Sequence, residues 1–170
     1  NFVDSDGVGI NNGVGNDTPE NITETLGINL RFGRGYLENS FGPETSDLPQ
    51  PFFVQYLDTS GKYVVNAQDD CTIFNVTQMA HSSGTLDESE TNAKDINGPA
   101  ADGVLVEGET RDMLLAAPGS GKQGTINVEY SVYPWLNYDW DWDGVSTKVF
   151  DENPKAVATF GLFRGNDRII

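Results

Sequence analysis

The stretch Ile126-Asn127-Val128-Glu129-Tyr130-Ser131-Val132-Tyr133-Pro134-Trp135-Leu136-Asn137-Tyr138-Asp139-Trp140-Asp141-Trp142-Asp143-Gly144 alternates apolar and polar residues over most of its length. The even positions read Ile126, Val128, Tyr130, Val132, Pro134, Leu136, Tyr138, Trp140 and Trp142, while the odd ones include Asn127, Glu129, Ser131, Asn137, Asp139, Asp141 and Asp143. Side chains change sides at every residue of a strand, so this period of two predicts strands with one buried face, aromatic rings on one side and carboxylates on the other. Pro134 has no N–H to give a ladder and marks a bulge, an edge or a break into two strands.

The same reading carried outward predicts strands at 26–32, 36–39, 52–57, 63–65, 72–76, 104–106, 113–117, 126–133, 138–142 and 156–163. Between them lie turn signals such as Thr59-Ser60-Gly61-Lys62, Asn97-Gly98-Pro99 and Pro118-Gly119-Ser120-Gly121, at the spacing expected of a sandwich or barrel. One helix is conceivable, over 86–95, and that segment reads equally well as a loop. The predicted class is all-β, an antiparallel β-sandwich with long loops and little helix. The chain has 170 residues, 37% of them hydrophobic, which is enough for one domain with a real core and too few for two ordinary ones. Residues 1–25, rich in Gly, Asn and Asp, read as a linker or loop, and 26–170 as the sandwich domain. We find no internal repeat.

Acidic residues outnumber basic ones by 26 to 10, a formal charge of −16, which repels phosphate backbones and anionic lipid surfaces. Nucleic acid is therefore not an expected partner. No 18 apolar residues run together, so no transmembrane span is expected. Asn1 opens no recognisable signal peptide, and the sequence reads as a mature fragment or an excised domain. Cys71 is the only cysteine. It excludes an internal disulfide, and the reading is a small buried residue in a strand.

Three carboxylates two residues apart, Asp139, Asp141 and Asp143, are closed by Gly144. Ca²⁺ takes six to eight oxygen ligands, and loops of this type supply them from alternate residues while a glycine permits the sharp turn. The first half of the pattern D-x-D-x-D-G-x5-E is matched, and the carbonyl of Val145 would fit the seventh loop position. The twelfth position holds Phe150, with Asp151 and Glu152 one and two residues late. A helix–loop–helix hand is not expected; a calcium loop between strands, closed by Asp151 or Glu152, is. The plain alternative is a solvated acidic turn. A second calcium site from Asp4, Asp6 and Asp17 is conceivable, against the linker reading of the same residues.

Other motifs fail on chemistry. Gly119-Ser120-Gly121-Lys122 lacks the earlier glycine and the following Ser/Thr of a phosphate loop, and reads as a hairpin turn. His81 beside Ser82 and Ser83 does not make a triad from sequence neighbours, and one His with one Cys is too little for a zinc site. Asn21-Ile22-Thr23 and Asn75-Val76-Thr77 are sequons only in a eukaryotic secretory setting.

Further segments are informative together. Phe32-Gly33-Arg34-Gly35-Tyr36-Leu37-Glu38-Asn39-Ser40-Phe41-Gly42 leads to Leu48-Pro49-Gln50-Pro51, Val54-Gln55-Tyr56 and Asp69-Asp70-Cys71-Thr72. The end reads Ala158-Thr159-Phe160-Gly161-Leu162-Phe163-Arg164-Gly165-Asn166-Asp167-Arg168-Ile169-Ile170. With the acidic loop, these resemble the C-terminal domain of the MSHA pilus biogenesis protein MshQ family, from about Leu26 to Ile170. The resemblance implies a large exported bacterial protein of the mannose-sensitive haemagglutinin type IV pilus system, at the cell surface or outside the cell, with no established catalysis. In the family pattern the acidic loop reads like Asp-Trp-Asp-Gly-Asp-Gly and the chain runs on beyond its last arginine and isoleucines. Here Trp142 stands for the middle glycine and 145–150 lengthens the return, which leaves the later ligands open.

Arg34, Arg164 and Arg168 are read either as contacts to a partner subunit or anionic glycan, or as pairs to local carboxylates. Tyr138, Trp140 and Trp142 are read either as core or as a stacking surface for sugar, with Trp140 and Trp142 the candidate glycan contacts. Three functions follow: a calcium-stabilised structural or adhesive module that works with pilus or cell-surface components, a carbohydrate-binding lectin-like module, and a glycoside-active enzyme. The first is preferred and no enzyme is expected, because aspartates gathered on a cation are held ionised and make poor general acids.

Overall fold

The computed structural model describes residues 33–98, 102–142, 144 and 150–162. Among these are thirteen short strands: β1 (Gly33–Leu37), β2 (Ser40–Gly42), β3 (Leu48–Pro49), β4 (Phe52–Leu57), β5 (Tyr63–Val65), β6 (Ile73–Asn75), β7 (Met79–Ser83), β8 (Ala93–Asp95), β9 (Asp102–Val104), β10 (Glu109–Thr110), β11 (Met113–Leu115), β12 (Gly124–Tyr130) and β13 (Lys155–Phe160). Among the described residues, helix is confined to single 3-10 turns at Val76–Gln78, Glu88–Glu90 and Pro134–Leu136. The all-β expectation holds.

The parity of β12 is the one its sequence implies: Gly124, Ile126, Val128 and Tyr130 are buried, and Thr125, Asn127 and Glu129 face outward. β12 pairs antiparallel with β13 (Ile126↔Ala158) and with β7 (Val128↔His81), and β2 lies parallel along the far side of β13 (Ala158↔Ser40). This parallel edge joins two strands from nearly opposite ends of the described chain, so no short connection constrains their direction. A second sheet has β4 at its centre, flanked by β1 on one side and by β10 and β5 on the other. β3-β11-β8 form a third sheet, and β6 pairs with β9. One buried cluster draws on all four, including Phe52 and Val54 of β4, Phe74 of β6, Met113 and Leu115 of β11, Ile126 and Val128 of β12 and Phe160 of β13. Phe52 meets Tyr130 across the layers with ring centroids 4.8 Å apart. The fully buried Gln50 is satisfied within this core: it accepts from Ser40 Oγ at 3.0 Å and donates to the Glu38 carbonyl.

Several expectations are corrected. The strand expected over 138–142 is reduced to one bridge, Tyr138 to Glu152, because Pro134 starts a 3-10 turn that ends the ladder at Tyr130. In place of a helix over 86–95, Asp87 and Glu90 form a capping box around a single turn, and Ala93–Asp95 pairs with β11. After Leu86 the next helical positions are Ser89 and Glu90, and only the small Ala93 follows at that spacing, too little to hold a longer helix against the core. The Gly119–Lys122 turn connects β11 to β12, which lie in different sheets, so it is not a hairpin. Cys71 is exposed in a loop; its thiol lies 3.5 Å from Asp69 Oδ1, and that hydrogen bond to a carboxylate pushes the thiol's pKa up. The expected strand at 26–32 and the linker at 1–25 lie outside the described residues.

Candidate functional site

The acidic loop is held at its base by two backbone hydrogen bonds between Tyr138 and Glu152, of 3.1 and 3.2 Å. Asn137 Nδ2 donates to the Asp151 carbonyl at 3.0 Å, and a Glu152 carboxylate oxygen accepts from the Trp140 N–H. Asp141 then adopts a φ of +57°, in the left-handed region, and Gly144 N–H closes the turn on the Asp141 carbonyl at 3.2 Å. The chain reverses where the sequence places the alternate aspartates. Two buried atoms of this loop, the Asn137 Oδ1 acceptor two residues before Asp139 and the Trp140 Nε1 donor, have no hydrogen-bond partner among the described residues. No ion pair engages Asp139 or Asp141 among the described residues. No cluster of three or more carboxylate, His or Cys side chains is placed to hold a metal among the described residues. Asp143 and Val145 of the expected ligand set, Asp4, Asp6 and Asp17 of the second, and Arg164 and Arg168 lie outside the described residues.

The aromatic row divides: Tyr138 and Trp140 surround a cation, while Trp142 is exposed. Tyr138 and Trp140 are half-buried outside the main core and, with Tyr36 and Tyr63, box the guanidinium of Arg34. Arg34 Cζ lies 3.7 Å from the Tyr63 ring centroid, 4.7 Å from that of Trp140, 5.0 Å from that of Tyr138 and 5.9 Å from that of Tyr36. Its Nε donates to Gln55 Oε1 at 3.0 Å on the neighbouring strand β4. Arg34 is thus held by aromatic faces and an amide in place of the expected carboxylate. Burial lowers its pKa, and burial together with a Tyr138 hydrogen bond pushes the Tyr63 hydroxyl up to about 12. The box ties the acidic loop to β1, β4 and β5. A desolvated cation over aromatic rings contributes about 2 kcal/mol. Arg34→Leu is therefore expected to lower the urea midpoint by an amount equivalent to roughly 2 kcal/mol. Arg34→Lys should recover only part of it, since an ammonium lacks the planar fork that both stacks and reaches Gln55. Equal midpoints for Arg34→Lys and wild type would refute this role for the guanidinium.

A family model described as DUF6701, fourth domain, matches residues 31–170. The chain belongs to that family. No curated protein and no solved structure matches it. Among the described residues of this DUF6701 domain, no helix is long and apolar enough to cross a membrane.

The loop of the DUF6701 domain also borders a groove of about 480 Å³ on the outer face of the β2-β13-β12-β7 sheet. Trp142, 49% exposed, is anchored by Nε1 donating to the Asn153 carbonyl at 3.2 Å, and stacks on Trp140 with centroids 6.1 Å apart. Asn153 in turn donates to Glu129 Oε1 at 3.1 Å, and Lys155 Nζ lies 3.5 Å from Glu129 Oε2 and 5.8 Å from the Trp142 centroid. Of the groove's lining, sequence reading singled out Trp142 as a glycan candidate and passed over Asn39, Ser82, Asn127 and Lys155. The odd positions of β12 already showed Asn127 and Glu129 facing outward; their neighbours on β7 and β13 come from register.

Proposed function

We propose that this domain is a structural and adhesive β module of an exported bacterial surface protein, of the MSHA pilus biogenesis protein MshQ kind in a type IV pilus system. A calcium ion holds its 139–152 loop. The buried, donorless Asn137 Oδ1 carries the metal part of this reading: it is a neutral oxygen in the same odd-numbered series as Asp139 and Asp141, in a loop that reverses at Asp141. Oxygen-only donors of this kind suit a hard cation. Asp139, Asp141, Asp143 and Asp151, with the Val145 carbonyl, would hold it. Glu152 would act as their support, since its carboxylate already binds the Trp140 N–H. Bound there, the ion would neutralise crowded carboxylates and cross-link the loop to the sheet margin. The surface assignment is supported by the MshQ-like segments; the family description adds only that this domain is numbered as one of a series. The reading assigns the domain no catalysis.

The test is calorimetric melting in calcium and then in EDTA. A ligand bound only by the folded state stabilises it by about 2.7 kcal/mol at a hundredfold excess over its dissociation constant. The melting temperature is expected to fall in chelator, and Asp141→Ala should erase the difference. Superimposed curves would remove the ion from the proposal. An antibody against residues 31–170 should label intact cells, and labelling seen only after permeabilisation would remove the surface assignment.

A further inference from the structure

We propose that the groove beside Trp142 is a binding site for a neutral saccharide of about disaccharide size. Its volume, about 480 Å³, falls in the roughly 300–1,000 Å³ range of small-molecule sites. A pyranose presents an apolar C–H face and a rim of hydroxyls that both donate and accept. The groove offers the complement of each. Trp142 supplies a half-exposed indole fixed at three points, by its N–H on Asn153, its stack on Trp140 and the Lys155 ammonium near its ring. Rings held in this way stack without further loss of rotamer freedom.

The polar rim is set by strand register. Asn127 faces Ser82 on one side and Val157 on the other, and Glu129 faces Ala80 and Lys155 in the next row. Asn127 Nδ2 is spent on the Ser83 carbonyl and Asn39 Oδ1 on the Val157 N–H, which leaves Asn127 Oδ1 as an acceptor and Asn39 Nδ2 as a donor. Charge selects against acids. Lys155 is matched by Glu129 inside the groove, and a chain of net charge −16 repels sialylated or sulfated glycans. The inference adds a ligand to the scaffold reading and does not rest on the ion.

The 170-residue chain, with calcium present throughout, is applied to an array of neutral, sialylated and sulfated oligosaccharides, then titrated with cellobiose, lactose and diacetylchitobiose while tryptophan fluorescence is read. At least one neutral saccharide is expected to bind. Trp142→Ala and Asn127→Ala should each weaken it about tenfold or more, equivalent to about 1.4 kcal/mol. Trp135→Ala, which removes an exposed indole stacked on Tyr133 away from the groove, should leave it unchanged. Circular dichroism establishes that each variant is folded, and Asn127→Ala carries the test if Trp142→Ala is not. Silence on every neutral saccharide, binding of charged glycans alone, or binding untouched by both groove variants would overturn the proposal.

Discussion

Phe74→Ala is expected to cost about 3–5 kcal/mol, the usual penalty for removing a buried phenyl ring. Phe74 is 1% exposed and sits directly across the β6–β9 ladder from Gly103. The ring covers the glycine so closely that a Cβ on Gly103 would lie 2.2 Å from Phe74 Cζ and 2.4 Å from Cε1. Gly103→Ala should therefore destabilise in its own right, by roughly 1–3 kcal/mol as an overpacked site. The two changes share one space, so the double variant is expected to cost clearly less than the sum of the singles. Urea unfolding of the four proteins measures this coupling. Strict additivity would mean that the ring moves aside freely and that the close pairing is unimportant.

Asp69→Ala is expected to cost about 2–4 kcal/mol, because a hydrogen bond to a charged group contributes about 1.5–3 kcal/mol and this carboxylate accepts several. Asp69 is buried, and its carboxylate accepts from Thr72 Oγ1 at 2.7 Å, Thr72 N at 2.9 Å and Cys71 N at 3.2 Å. The next residue extends the clamp. Glu107 N–H donates to Asp70 Oδ1 at 2.8 Å and Gly108 N–H to the Asp69 carbonyl at 2.9 Å, holding a tight turn in which Glu107 and Gly108 have φ of +52° and +77°. Burial alone would raise the Asp69 pKa; the hydrogen bonds from Thr72 and Cys71 outweigh it and hold the carboxyl below its usual range.

A pKa depressed by folding contributes stability that is present above the unfolded-state value and lost as pH falls through the folded-state value. The gap in melting temperature between wild type and Asp69→Ala should thus be constant from neutrality down to about pH 5 and close below about pH 4, near the unfolded aspartate value. Asp69→Asn, which keeps one acceptor oxygen, should fall between the two. A gap that persists unchanged in acid would assign the loss to packing and not to the carboxylate.

These two sites show how far local sequence carries. Asp69-Asp70-Cys71-Thr72 stood out as a segment of the family likeness, as did Gly33-Arg34-Gly35, Gln50 and Gln55. Each proves to be a tie point between strands, but nothing within the segments names what they tie: Arg34 finds Gln55 and four rings, and Gln50 finds Ser40. Cys71 was misread for the same reason, since a small apolar residue beside a predicted strand looks buried until its neighbours are placed.

The sequence by itself determined the β class, the inward face of β12, the strand spans 52–57 and 63–65, and the acidic turn closed by Gly144. Each of these depends on contacts within a few residues, where side-chain alternation and turn chemistry act directly. Tertiary structure alone decided the parallel seating of β2 on β13, the aromatic box around Arg34 and the groove between Trp142 and Asn127. Those depend on pairings such as Asn39 with the Val157 N–H, 118 residues apart. Which distant strands meet is fixed by how the whole core fills, and no local pattern encodes that.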